Sequence, residues 1–221
     1  MKILLSVLRA PRIVAIVGCA SMPAMMASGC GAASTKVCET CAEAKTHNQW
    51  CDEHDVGYVA SLPITSRILF EAVDAHGHGL HPGSMKSIKC PMCRAAIEAG
   101  EGYCEACKIG WFKRQAYFSR LTYHLARGEV RKLSTIECAT CRRNAEHYGW
   151  CDSCKLGMVG NVAIRDRKEF AIASGEYDRL ESAVKVAGRC EQCALALLTD
   201  TSCFKCKISY RNGREVPASA P

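Results

Sequence analysis

No Cys-x-x-Cys-His segment occurs anywhere in the 221 residues, which excludes covalent haem attachment of the c type. Cys51-Asp52-Glu53-His54 lacks the second cysteine, and lysine follows the later ligand pairs of the other repeats. Also missing are a free Ser/His/Asp or Cys/His set, a phosphate-cradling glycine loop and paired carboxylates in a recognisable context. The chain is therefore expected not to be an enzyme. No uncharged apolar run is long enough for a comfortable membrane span; the nearest, residues 13–26, has signal-peptide length.

Cysteine is what the chain has in abundance, 17 residues of it. Laid over itself, the sequence shows one unit four times: Cys38, Cys41, Cys51 and His54; Cys90, Cys93, Cys104 and Cys107; Cys138, Cys141, Cys151 and Cys154; Cys190, Cys193, Cys203 and Cys206. First cysteines are spaced by 52, 48 and 52 residues, the period of a repeat array. Two Cys-x-x-Cys knuckles in close succession suit a tetrahedral zinc ion, because each tight turn offers two thiolates. Four structural zinc sites are expected, with rubredoxin-like iron as the minor alternative on the same sulfur set.

His54 sharpens that reading. An imidazole cannot form a disulfide, yet three cysteines and one histidine are an ordinary zinc set. Disulfides throughout would leave one of the 15 repeat cysteines over. Lys108, Lys155 and Lys207 follow the last ligand of the all-cysteine units, where a zinc site is formally more negative, and Asp55 follows His54. That correlation is expected of charge compensation around the ligands.

The first 34 residues differ from the rest. Lys2, Arg9 and Arg12 precede the apolar run, and Ala27-Ser28-Gly29-Cys30 ends it. The segment reads as an export signal, with Cys30 the candidate lipidated residue of a bacterial lipoprotein. The protein is then expected in the periplasm or cell envelope, anchored to the membrane. Removing Lys2, Arg9 and Arg12 lowers the formal charge from +7 to +4, and occupied thiolate sites lower it further. Nucleic acid is thus not an expected partner; zinc, the membrane and a protein partner are.

Domain boundaries follow the repeats: 1–34 signal, 35–87 module one with a His-rich linker, 88–135 module two, 136–187 module three, 188–216 a truncated module four, and 217–221 a tail. Helices are expected between the knuckles over 42–49, 94–100, 142–148 and 194–199. Trp50, Tyr103 and Trp150, each just before the third ligand, are expected to cap the metal sites. Hairpins follow, Asn212-Gly213 being the clearest turn signal. Later helices are expected over 66–75, 119–127 and 167–186, the last broken near Gly175, with Ser66 and Ser119 as N-caps.

These knuckles and hairpins resemble zinc ribbons, so the expected fold class is small zinc-stabilised α+β modules in a tandem array of four zinc-ribbon-like repeats, each running knuckle, short helix, knuckle, β-hairpin, helix. Trp50-Cys51-Asp52-Glu53-His54-Asp55-Val56 also resembles a short segment of periplasmic adaptors in heavy-metal efflux systems. Outside the repeats, His76, His78 and His81 are the candidate exchangeable metal ligands. His47 and His147 are expected at the surface or beside a ligand, and His124 on a helix surface. The expected function is an exported, membrane-anchored zinc-binding scaffold or a metal-handling protein. Two other classes remain open: an intracellular nucleic-acid-binding zinc-ribbon array and an exported thiol-disulfide redox protein.

Overall fold

A computed structural model describes residues 38–80 and 84–217. The signal, Cys30, His81 and the tail beyond Pro217 lie outside the described residues.

Repeat one runs α1 (Glu39–His47), β1 (Trp50–Cys51), β2 (Val56–Val59), β3 (Leu62–Ile64), α2 (Arg67–Val73) and β4 (His78–Gly79). Repeat two follows with α3 (Pro91–Glu98), β5 (Glu101–Cys104), β6 (Ile109–Phe112), β7 (Gln115–Tyr117), α4 (Arg120–Arg127) and β8 (Glu129–Val130). Repeat three comprises α5 (Ala139–Asn144), β9 (Tyr148–Cys151), β10 (Leu156–Val159), β11 (Val162–Ile164) and α6 (Arg167–Ala187). Repeat four holds α7 (Glu191–Thr199), β12 (Ser202–Cys203), β13 (Ile208–Arg211) and β14 (Arg214–Val216).

Each repeat builds an antiparallel three-stranded meander, and two meanders gain a fourth strand from the repeat before them. His78 of β4 pairs with Ala116 of β7, and Val130 of β8 pairs with Val162 of β11. The His-rich linker is therefore partly strand. Its backbone joins the ladder of the following repeat.

Three of the hairpin turns place both central residues in the left-handed region: Ala60 and Ser61, Lys113 and Arg114, Asn212 and Gly213. Only the last carries the Asn-Gly signal. The twist of the paired strands imposes the same turn on alanine, serine, lysine and arginine.

The repeats share a core. Val59, Ile64, Leu69 and Val73 of repeat one pack in one cluster with Leu121 and Leu125 of repeat two. Val159, Ala173, Tyr177 and Leu180 of repeat three and Ala194, Leu197 and Tyr210 of repeat four complete it. Polar contacts join the same units: the Ser66 hydroxyl donates to Glu191 Oε1 at 2.5 Å, and the Phe118 amide donates to Asp74 Oδ2 at 2.9 Å. Arg127 pairs with Glu101 of its own repeat and Glu169 of the next.

Helix α6 is continuous, so the expected break at Gly175 does not occur. Ala173, Tyr177, Leu180 and Ala183 form one buried stripe, and that packing outweighs the helix penalty of an exposed glycine. Asp166 caps it, Oδ1 accepting from the Lys168 and Glu169 amides. Ser66 and Ser119 hold the N-cap positions of α2 and α4 as expected, Ser66 with a side-chain hydrogen bond and Ser119 without one. His124 is a further correction. It is only 6% exposed, because α4 packs against α6 and against the sheets on other sides, and burial lowers its pKa to about 4.

Gly160 and Gly175 separate two roles. At Gly160, φ is +52° and an added Cβ would stand 1.7 Å from the Ala60 carbonyl oxygen; Gly160→Ala is expected to cost about 3 kcal/mol in chemical denaturation. Gly175 has no neighbour within 4 Å of such a Cβ, and Gly175→Ala is expected to add about 0.5–1 kcal/mol. Because His124 takes up a proton more readily unfolded than folded, stability should fall as pH drops from about 6.5 towards 4. The part of that fall assigned to His124 should vanish in His124→Leu.

Candidate metal centres

Every set is built by the same two local structures. The first cysteine is the N-cap of a helix and the second sits in its first turn: Cys38 and Cys41 on α1, Cys90 and Cys93 on α3, Cys138 and Cys141 on α5, Cys190 and Cys193 on α7. The helices thus begin inside the knuckle, three residues earlier than the sequence suggested. None of the four cysteine side chains makes a capping hydrogen bond, but the positive end of a helix start favours an ionised sulfur beside it. The Cys93 amide lowers the Cys90 thiol to about 7, and the Cys141 and Cys193 amides likewise lower Cys138 to about 6 and Cys190 to about 7.

The other two donors come from a strand end and the turn after it. Cys51, Cys104, Cys151 and Cys203 close β1, β5, β9 and β12 and are buried. His54, Cys107, Cys154 and Cys206 stand in the turn. There the Cys107 and Cys206 amides donate to the sulfurs of Cys104 and Cys203, at 3.4 and 3.3 Å. The next residue is left-handed in all four: Asp55, Lys108, Lys155 and Lys207, with φ from 49° to 59°. This backbone demand is common to the lysines and the aspartate. Lys108 itself reaches Glu105 Oε2 at 3.3 Å.

The spacing of the donor atoms fits a tetrahedral ion. With metal–sulfur bonds of about 2.3 Å, neighbouring sulfurs of a tetrahedron lie about 3.8 Å apart. Cys90 and Cys104 sulfurs are 3.7 Å apart, Cys138 and Cys151 3.8 Å, Cys190 and Cys203 4.0 Å, and Cys206 and Cys190 3.7 Å. In repeat one, His54 presents Nδ1, 3.4 Å from Cys41 Sγ and 3.6 Å from Cys51 Sγ, against about 3.5 Å for a mixed sulfur–nitrogen edge, while the Cys41 and Cys51 sulfurs stand closer than a tetrahedral edge at 3.3 Å. All four sets have their donor atoms within 4.8 Å of one another. They are four centres that can hold a metal ion such as zinc or iron.

Without an ion the thiols do not ionise together. Burial pushes Cys193 up to about 12 and raises Cys141 further, while the Thr40 hydroxyl lowers Cys51 to about 6. A cation relieves the mutual repulsion and displaces the protons.

Three polar side chains that the sequence did not single out face the sulfurs from the middle strand. The Cys51 sulfur raises Cys41 and burial raises Cys193, and the hydroxyls of Tyr58 and Tyr210 oppose those shifts by favouring the ionised sulfurs. Trp111 acts on Cys93 in the same sense, against burial; its indole N–H is itself buried with no nitrogen or oxygen acceptor. An ionised sulfur beside it satisfies that donor. In repeat three, the apolar Met158 pairs with Ala163, as Trp111 pairs with Ala116.

The expected capping of the metal by Trp50, Tyr103 and Trp150 is corrected. Strand alternation turns each of these away from its neighbouring cysteine. Trp50 packs on Phe70 with Arg67 over its ring, Tyr103 on Tyr123 with Arg120, and Trp150 on Phe170 with Arg167. The same arginines reach back to Asp52, Glu105 and Asp152, the residues after the third ligand, at 3.1, 2.8 and 3.5 Å. Gly57, Gly110 and Gly157 leave room for the helix aromatics, which an added Cβ would meet at 2.2–2.4 Å. Each later helix is thus clamped over the hairpin that carries a ligand.

His76 is exposed; His78 lies in β4 with Nε2 2.6 Å from Asp74 Oδ1; His81 is outside the described residues. His47 is exposed at the end of α1.

If His54 is a ligand, His54→Ala should remove one metal equivalent by elemental analysis, and His54→Cys should restore it. Metal should be lost as pH falls, since protons compete for the same thiolates, and a content that stays flat down to pH 4 would contradict these centres.

No protein-family model, no curated protein and no solved structure matches the chain.

Proposed function

We propose that the protein is a zinc-stabilised binding scaffold, its four cysteine centres structural rather than catalytic. The observation that carries this reading is the completeness of each donor set. Four protein atoms at tetrahedral separations leave no open position for a substrate, which is the character of structural rather than catalytic zinc. Zinc is preferred to iron because the His54 set, three sulfurs and one imidazole nitrogen, is an ordinary zinc set. Metal binding free energy then becomes folding free energy for units of about 50 residues that are marginal alone.

A scaffold needs a surface, and a groove of about 460 Å³ between repeats one, two, three and four offers one. Tyr103, Lys108, Arg120, Glu176, Arg179 and Asp200 line it with charges of both signs. Such a lining suits a polar protein segment more than a hydrophobic small molecule.

Export and lipid anchoring at Cys30 belong to the same proposal and rest on residues 1–34 alone. Among the described residues no helix is long and apolar enough to cross a membrane, so attachment would depend on that segment.

Elemental analysis and a thiol count on protein purified without chelator test the reading. About four zinc ions per chain, with thiols reactive only after chelation and denaturation, are expected. Metal-free protein with oxidised cysteines would move a thiol-disulfide role to the front.

A further inference from the structure

Asp178 and Glu181 are one helical turn apart on α6, so they leave the same side of the helix. That side faces the turn between α5 and β9, where His147 stands. The His147 ring lies 4.4 Å from the Tyr148 ring and meets Tyr177 edge-on at 5.4 Å. So held, it places Nε2 3.3 Å from Glu181 Oε2. The Tyr148 hydroxyl donates to Asp178 Oδ2 at 2.9 Å.

One donor atom from each of His147, Asp178 and Glu181 lies within 4.8 Å of the other two. Among the described residues, no other histidine or acidic side chains converge in this way outside the four cysteine centres. The charge balance also invites a cation. Lys185 pairs with Glu181 Oε1 at 3.3 Å, while Asp178 takes only the Tyr148 hydroxyl, so with a neutral imidazole the group is net negative.

We propose that His147, Asp178 and Glu181 form an open site for a divalent transition-metal ion of the Zn²⁺ or Co²⁺ class. One imidazole nitrogen with two carboxylate oxygens is a donor set such ions accept. The 3.3 Å separation of Nε2 and Oε2 is the edge of a tetrahedron with bonds of about 2.1 Å. Tyr148 orients the ligating Asp178, as outer hydrogen bonds do at metal sites. Three protein donors leave a position for water or an external ligand, so this ion would exchange where the enclosed ones do not. The site goes beyond the scaffold reading and does not depend on which metal fills the cysteine centres.

The test uses full-length protein whose cysteine centres are already filled with zinc, titrated calorimetrically with Co²⁺. Absence of the intense thiolate–cobalt absorption shows that zinc has not been displaced. One further equivalent is expected, weakened by about tenfold or more in both His147→Ala and Asp178→Asn, with four zinc ions retained in each. In spectra of the unaltered protein, Co²⁺ should perturb His147, Tyr148 and the α6 resonances around Asp178 first. No further equivalent, binding indifferent to both substitutions, or perturbation centred on His76 and His78 overturns the proposal and leaves an ordinary histidine–carboxylate pair. Retention of four zinc ions in such a result would leave the structural centres standing, so the two readings fail separately.

Discussion

Four soft donors held at the corners of a tetrahedron are the constraint on which each repeat depends. A helix start supplies two of them and a strand end with the turn after it supplies the others, so an ion bound there would tie the helix to the hairpin. In repeat two, for example, the cluster around the centre is Cys93, Ile97, Cys104, Trp111 and Ala116, with Leu80, Met85, Ile88 and Ile109 packed against it. A core of that size is marginal for a unit of about 50 residues without a further staple. The surrounding hydrogen bonds then tune the sulfurs, from the first-turn amides on one side and from Tyr58, Trp111 and Tyr210 on the other.

The donor sets account for the geometry within each repeat but not for the assembly. That falls to the later helices, which the arginine–aromatic clamps hold over the opposite face of each hairpin. Once clamped, α2, α4 and α6 present their other sides to neighbouring repeats and build the shared core. Repeat four shows the converse: no helix follows its hairpin among the described residues. There Ser202 and Ser209 occupy the positions of the aromatic and the glycine, their hydroxyls 2.7 Å apart. Where no aromatic of a following helix packs on the hairpin, its face carries these hydroxyls instead.

The donor sets and the strand–turn–strand order were legible because they follow from local geometry. A Cys-x-x-Cys spacing closes a turn whatever surrounds it, and the repetition of the pattern excluded chance. His54 was legible as the fourth member of its set for the same reason, although the approach of its Nδ1 to the sulfurs was not. Helix starts were misplaced by three residues because cysteine is not an expected N-cap, and Ala60-Ser61 and Lys113-Arg114 carry no turn signal. The aromatic before each third ligand was assigned to the wrong face; strand alternation alone would have placed it, had the strand been extended by one residue.

The sequence by itself determined which sixteen side chains can hold metal, in what sets, and that four similar units follow one another. Those facts need only residues close in the chain, where bond geometry limits the outcomes. Tertiary structure decided the shared core, the burial of His124, the continuity of α6 through Gly175, and the approach of His147 to Asp178 and Glu181. Each depends on surfaces from distant segments meeting, and the free energy of that packing is a sum over many weak contacts with no local signature.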